Sequence, residues 1–215
     1  MIFLLIAVAY TVVVSSTEKK LLLQNAELLE LNKQISDIAQ TQQNLKAELY
    51  DDLMMEFSRN LESWNAEIDL DNTVRFKEPD ILFDQGQKVV KKRFKEILDD
   101  FFPRYVKILS QDRYKNNIEE IRIEGHTSSE WTNANTLEAR YLGNVELSQA
   151  RALEVLKYCF GNPAINVDKQ WLVKVLRANG LAFAKPLETK ELSRRVEFRV
   201  LTKSDQKILE ILDIH

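Results

Sequence analysis

Two short polar segments hold the side chains best suited to bind a charged ligand. The first reads Gly-His-Thr-Ser over residues 125–128 and is followed closely by Glu130. The second contains Asn144, Leu147 and Arg151 at helical spacing. An arginine can bind a carboxylate through two parallel hydrogen bonds, and the free N–H groups at the start of a helix also attract anions. With Asn144 as the N-cap of a helix that carries Arg151, the sequence predicts an anion-binding pocket at the start of that helix.

The residues around these segments predict a strand, a polar loop and a helix in succession. Ile121 and Ile123 alternate with charged residues, which is the period of a half-buried strand, and Gly125 ends the run. Residues 173–178 fit either a strand or a prolongation of the helix before them. Elsewhere we predict a strand at 73–76, an extended piece at 81–83, a helix with an apolar stripe at 90–101, a second helical piece starting at Pro103, a helix from about residue 146 to Gly161, a short helix capped by Asp168, and a strand at 196–200.

His126 lies two residues from Ser128, which raises the alternative of a hydrolase. The sequence has no G-x-S-x-G nucleophile elbow, no paired Cys–His arrangement and no glycine-rich phosphate loop. Two histidines and the single Cys159 are too few for a convincing zinc site. The formal net charge of -3 provides no basic field for a nucleic acid. We therefore expect a binding protein that is not an enzyme, with no metal or other cofactor and no nucleic-acid partner.

A third motif, Arg-Arg-Val-Glu at residues 194–197, follows the first two, and the three together resemble a known family. The peptidoglycan-binding domain shared by outer-membrane protein A and the flagellar stator protein MotB reads G-H-T-D, then N-x-x-L-S-x-x-R-A, then a strand that opens R-R-V-E. Here the second motif occupies residues 144–152, and the first motif has Ser128 where the family has aspartate. The resemblance covers roughly residues 74–201. It implies an α+β fold with an OmpA-like mixed sheet covered by helices, which we place at residues 66–202.

The same resemblance implies a ligand, the zwitterionic end of meso-diaminopimelate in a peptidoglycan stem peptide. In the family the arginine of the second motif, here Arg151, binds the carboxylate, and the aspartate of the first motif binds the ammonium. Ser128 cannot supply that negative charge, so Glu130 is the candidate substitute. The predicted peptidoglycan-binding residues are Thr127, Ser128, Glu130, Asn144, Leu147, Arg151 and Arg194.

Several of these residues also have a purely structural interpretation. Asn144 could be a helix cap alone, and Leu147 could be a core residue. The remaining alternatives are an ion pair of Arg151 with Glu146 or Glu154 on the helix surface, loop packing in place of sugar stacking for Trp131, and loop anchoring by either Arg194 or Arg195.

The N-terminal third of the chain predicts a membrane segment and a helical neck. Residues 2–14 are apolar and uncharged, shorter than the ~20 residues that span a bilayer. We interpret residues 1–16 as part of a transmembrane helix; a signal-peptide core and a buried soluble helix are the alternatives. In the neck, residues 17–65, apolar residues recur at a and d heptad positions, namely Leu21, Leu28, Leu31, Ile35, Ile38, Leu45 and Leu49. This seam predicts a coiled coil between two copies, or else one amphipathic helix folded back on its own domain.

Membrane segment, helical neck and wall-binding domain in this order resemble MotB and its relatives, including the related subunit of the Zorya phage-defence system. The stretch from Trp171 to Pro186, followed by Ser-Arg-Arg-Val-Glu, is similar to that subfamily. The resemblance implies a homodimer with a MotA-like membrane partner, inserted once in the inner membrane with its C-terminal domain in the periplasm. The proton-carrying aspartate of this group is not found in residues 1–16, so we expect it upstream or not at all. The alternative function is a passive envelope tether without an ion-channel partner. Residues 203–215 predict a C-terminal amphipathic helix.

Overall fold

A computed structural model describes residues 1–77, 79–131 and 134–203 of the chain, without the side chains of residues 79 and 80. The chain divides into two compact units at Asn44, and the second unit runs from Asn44 to Lys203. The amphipathic helix predicted over residues 203–215 lies outside the described residues, apart from Lys203.

The described part of the first unit belongs to helix α1 from Ile2 onward, and this helix is continuous from Ile2 to Trp64. Its apolar beginning is exposed, and this part of the helix is long and apolar enough to cross a membrane. The hydroxyl groups of Thr11, Ser16 and Thr17 donate to backbone carbonyls one turn earlier, those of Val8 and Val13. These bonds satisfy the polar groups inside the helix, which suits an apolar environment.

The C-terminal part of α1 packs into the core of the second unit. Leu49, Leu53, Phe57 and Trp64 are buried, whereas Leu21 and Leu28 farther up the predicted seam are exposed. The compact unit therefore begins about 20 residues before the predicted boundary at residue 66. The last turns of α1 therefore agree with the second of the two predictions, in which an amphipathic helix packs onto its own domain.

The second unit is a five-stranded mixed sheet with helices packed on it, which confirms the predicted fold class. The strand order is β1-β2-β5-β3-β4, and only the β3–β4 pair is parallel among the described strands. After α1 the elements are β1 (Ala66–Ile68), β2 (Val74–Phe76), α2 (Pro79–Leu82), α3 (Lys92–Leu109), α4 (Asp112–Lys115), β3 (Ile118–Gly125), α5 (Leu137–Gly161), a 3₁₀ turn (Pro163–Ile165), α6 (Lys169–Val175), β4 (Leu176–Gly180), α7 (Lys190–Ser193) and β5 (Val196–Thr202).

Phe101 of α3 joins the three layers of the core. Its ring centroid lies 5.2 Å from that of Phe57 on α1, 5.2 Å from Phe76 on β2 and 5.0 Å from Phe198 on β5. Tilted and edge-to-face contacts of this kind add to the free energy gained from burying the rings. The helix α1 is thus part of the same aromatic cluster that holds the sheet to α3.

Three local predictions were wrong or incomplete. The predicted extended piece at 81–83 is largely the short helix α2, and Pro103 lies inside α3 instead of starting a second helix. Its missing N–H costs one helical bond, but buried apolar residues on both sides of Pro103 hold the helix on the sheet. Both interpretations of residues 173–178 hold in part, because α6 continues to Val175 and β4 starts at Leu176.

Candidate functional site

A cavity of about 980 Å³ opens beside the C-terminal end of β3. Three parts of the chain line it: the segment between α2 and α3, the loop after β3, and one face of α5, with contributions from α7 and the residues that follow it. All the predicted binding residues line this one cavity, namely Thr127, Ser128, Glu130, Asn144, Leu147, Arg151 and Arg194.

The N-cap of helix α5 lies eight residues earlier than predicted, so the proposed helix-start pocket is wrong. Thr136 is the N-cap, and its Oγ1 accepts a hydrogen bond of 3.1 Å from the backbone N–H of Ala139. The signal was present, because Thr136 precedes a run of good helix formers. Asn144 therefore lies in the second turn of α5.

Asn144 ties the loop after β3 to the helix. Its Nδ2 donates to the carbonyl oxygens of Arg140 at 2.9 Å and Glu130 at 3.3 Å, and the side chain is only 1% exposed. The amide thus fixes the position of the loop that carries Ser128 and Glu130. Leu147, one turn later, is half-buried and forms part of the cavity wall.

A glycine allows α5 to lie directly on the end of β3. A Cβ on Gly125 would overlap the backbone carbonyl oxygen of Ser148. The hydroxyl of Ser148 also accepts a hydrogen bond of 3.0 Å from the backbone N–H of Ala182, which holds the loop after β4. This close contact brings Arg151, one turn beyond Ser148, to the cavity.

Arg151 is a buried guanidinium that is held by backbone carbonyls. Its Nε donates to the carbonyl oxygen of Gln87 at 2.8 Å and its Nη2 to that of Asp84 at 3.2 Å. The guanidinium carbon lies 4.8 Å from the centroid of the Phe83 ring. Among the described side chains, no carboxylate lies within 4.0 Å of the guanidinium, so the pairing with Glu146 or Glu154 is not formed.

The electrostatics of the cavity favour an anion near Arg151. Burial, and to a lesser extent the positive charge of Arg194, lower the pKa of Arg151 to about 10. The group remains charged at neutral pH, but this charge is poorly compensated. A carboxylate placed between the two guanidinium groups would relieve both the desolvation and the repulsion.

The loop after β3 supplies polar groups opposite Arg151. The hydroxyl of Thr127 is buried and has no hydrogen-bond partner among the described residues, and Ser128 is 6% exposed. Glu130 lies at the mouth of the cavity and forms an ion pair of 2.5 Å with Lys190. The hydrogen bond and charge of Lys190 lower the pKa of Glu130, and Glu130 in turn raises the pKa of Lys190.

The two arginines before β5 have different roles. Arg195 is 3% exposed; it donates to Glu197 at 2.6 Å and to the carbonyl oxygen of Lys185 at 3.2 Å, so it anchors the loop. Arg194 is more exposed and has a loose ion pair with Glu191, at 3.4 Å. The groups that hold Arg151, namely Phe83 and the carbonyls of Asp84 and Gln87, were not among the predicted site residues.

His126, Glu124 and Glu197 form a buried cluster under the cavity, and their possible ligand atoms lie within 4.8 Å of one another. Glu197 already accepts hydrogen bonds from two guanidinium groups, those of Arg75 at 2.7 Å and Arg195 at 2.6 Å. These positive charges oppose a metal cation, so the cluster fits a structural ion network better than a metal centre. Glu124 and Glu197 face each other across β3 and β5, and His126 lies beside both.

Comparison with known proteins places the chain in a family. The OmpA family profile matches residues 82–192, just over half of the chain. The Zorya protein ZorB of Escherichia coli is 37% identical over 219 residues, which cover 99% of this chain and 86% of that protein. The cell wall anchor of the T6SS from Pseudomonas aeruginosa is 21% identical with a TM-score of 0.48, and covers 70% of this chain and 96% of its own.

The periplasmic domain of Helicobacter pylori MotB is 16% identical with a TM-score of 0.46, and covers 69% of this chain and 96% of its own. The profile match includes all of the cavity-lining segments up to Lys190, and the similarity to the Zorya protein extends through α1 as well. The chain therefore belongs to the OmpA family and is related to the Zorya protein ZorB over 99% of its own length.

Proposed function

We propose that this chain is the wall-anchoring membrane subunit of a Zorya-type complex. The observation that carries the proposal is the similarity to the Zorya protein ZorB over 99% of the chain, from the apolar start of α1 to the end of the OmpA domain. A similarity of this extent includes both the long helix α1 and the OmpA domain that follows it, in the same order. The chain crosses the inner membrane once through the start of α1 and places its second unit in the periplasm.

In this proposal the cavity binds the free end of meso-diaminopimelate in a peptidoglycan stem. The carboxylate lies between Arg151 and Arg194, where a buried positive charge lacks a counter-ion among the described residues. The unpaired hydroxyl of Thr127 and that of Ser128 accept hydrogen bonds from the ammonium. Glu130 supplies the negative charge that the family aspartate would give, once its bond to Lys190 opens.

The assembly partner separates this function from that of a passive tether. A stator-like subunit requires a MotA-like membrane protein, whereas a tether does not. We expect the affinity-tagged full chain, extracted from its native membranes in a mild detergent, to copurify with one multi-helix membrane protein in a fixed ratio. The measurement is mass spectrometry of the purified complex beside an untagged control. Recovery of the chain alone, with its α1 intact, would favour the tether.

We further propose that two copies pair through the neck seam. Leu28 on the seam and its neighbour Leu29 are both exposed in the chain, at 55% and 70%, so each is available for a partner helix. A second copy fits because the knobs of an a/d pattern pack into the holes of a helix with the same pattern, which an identical chain provides. Only the part of the seam before Leu45 is proposed to pair, because Leu45 and Leu49 pack into the core of the second unit.

Cysteine crosslinking tests the pair. Leu28→Cys is expected to form a disulfide-linked dimer in oxidised membranes, whereas Leu29→Cys, one position off the seam, should form several-fold less. The native Cys159 is buried and does not compete. Equal crosslinking at the two positions, or none at either, would rule out this seam as the interface.

A further inference from the structure

Trp131 is held flat against α5 by a glycine in the interior of that helix. A Cβ on Gly143 would lie 2.5 to 2.9 Å from Cε2, Cζ2 and Cδ2 of the indole. Two of these atoms, Cδ2 and Cε2, form the bond shared by the two rings, so Gly143 lies under the face of the indole and not at its edge. Glycine inside a helix costs about 1 kcal/mol relative to alanine, and here it provides the space for the ring.

The part of the indole that Gly143 does not cover is accessible, because Trp131 also lines the cavity. The exposed fraction of Trp131 is 37%, whereas that of Arg151, which lines the same cavity, is 7%. The ring therefore combines a fixed lower face with an accessible upper face. Beside it lie Glu130, Arg140 and Lys190, whose polar groups can bind hydroxyl and amide groups of a ligand.

The spacing along α5 relates this ring to the anion site. Gly143 and Arg151 are eight residues apart, which corresponds to about 12 Å along a helix. In a peptidoglycan stem the diaminopimelate is the third residue from the muramyl sugar, and three extended residues span roughly 10–11 Å. A stem whose diaminopimelate is bound at Arg151 can thus place its sugar at the indole.

The chemistry of the surface also suits a sugar. The face of an aromatic ring is the negative side of its quadrupole and attracts the polarised C–H groups on one face of a pyranose. The cavity of about 980 Å³ lies at the upper end of the range for small-molecule sites, which leaves room beyond a single amino-acid end group. We propose that Trp131 is a stacking platform for the muramyl sugar, which gives the wall-binding cavity a second, glycan-binding subsite; this rests on the proposed function.

The test compares two ligands that differ only in the sugar: a free diaminopimelate-type stem tripeptide, and the same tripeptide on its disaccharide. Their dissociation constants are measured by titration calorimetry on the full chain in detergent. The wild type is expected to bind the disaccharide ligand about tenfold more tightly, and Trp131→Ala should abolish that advantage without changing the affinity for the free tripeptide. Trp131→Phe should retain part of it.

Gly143→Ala is the second variant, because it displaces the ring while raising helix propensity, so a loss of the sugar advantage cannot come from unfolding of α5. Arg151→Ala should lower the affinity for both ligands by the same factor. If Trp131→Ala lowers the affinity for both ligands equally, or for neither, the proposal that Trp131 is a sugar-stacking platform is overturned, while the anion site at Arg151 stands. If the wild type binds neither ligand, the proposed function is overturned, and the platform with it.

Discussion

Arg151→Ala in the full-length chain is expected to weaken binding to diaminopimelate-type sacculi by about 10- to 150-fold. This range corresponds to the loss of one hydrogen bond to a charged group, about 1.5–3 kcal/mol. The buried guanidinium has carbonyl acceptors in Gln87 and Asp84 but no carboxylate partner among the described residues, so its remaining donors are available to a ligand. The measurement is cosedimentation of the detergent-solubilised chain with increasing amounts of purified sacculi.

Arg93→Ala is the matched control, because Arg93 is an exposed arginine of α3 that does not line the cavity. This variant should bind sacculi like the wild type. Arg151→Lys should fall between the two, since lysine keeps the charge but loses the two parallel hydrogen bonds. Unchanged cosedimentation of a folded Arg151→Ala protein would contradict the anion site.

The same assay identifies the group that accepts the ammonium. Glu130 is paired with Lys190 at 2.5 Å, so a ligand ammonium must compete with Lys190 for the carboxylate. If Glu130 replaces the family aspartate, Glu130→Ala weakens sacculus binding and Lys190→Ala strengthens it. Parallel losses in the two variants would instead show that the ion pair only shapes the loop.

Glu197→Ala is expected to destabilise the second unit by about 3–5 kcal/mol, the usual cost of removing one partner of a buried ion pair. Glu197 is 1% exposed and accepts hydrogen bonds from Arg75 and Arg195, and Arg195 is itself 3% exposed. The substitution would leave the Arg195 guanidinium buried with only carbonyl acceptors. The free energy of unfolding is measured by urea denaturation in detergent, followed by tryptophan fluorescence.

The control is Glu154→Ala, which removes an ion pair with Lys157 on the surface of α5 and should change the free energy of unfolding by about 0.5 kcal/mol or less.

Burial alone raises the pKa of Glu197, but His126, Arg75 and Arg195 outweigh it and hold the pKa well below its usual value. A carboxyl group with a lowered pKa in the folded state stabilises the fold above its unfolded pKa, about 4.3. Wild-type stability should therefore fall as the pH drops below about 4.3, and Glu197→Gln should reduce that slope; an identical slope would contradict the network.

The parts of the fold and site that depend on residue type, or on the spacing of residues along one strand or helix, could be predicted from the sequence. Strands β3 and β5 were found because apolar residues alternate along them, and the motif residues were found because their spacing is fixed by the helix that carries them. The start of α5 was missed because residues 137–143 were assigned to the polar loop before them, although Leu137, Glu138 and Ala139 are good helix formers.

Long-range partners could not be predicted from the sequence. Arg151 is held by the carbonyls of residues 64 and 67 positions away, and every residue has such a carbonyl, so no residue type marks the partner. Lys190 reaches Glu130 from 60 positions away. The contact of Trp131 with Gly143 likewise joins residues 12 positions apart, and no residue type marks it in advance.

The aromatic cluster around Phe101 defines which piece of this protein can be exchanged between proteins. The profile of the family begins at residue 82, yet the core also needs Phe57 and Trp64 from α1, Phe76 from β2 and Phe198 from β5. A chimaera cut at the limits of the family match would lose the three strands β1, β2 and β5 and expose the rings of α3. The transferable module is therefore residues 44–203, and a wall-binding domain grafted at a shorter boundary would carry an open hydrophobic surface.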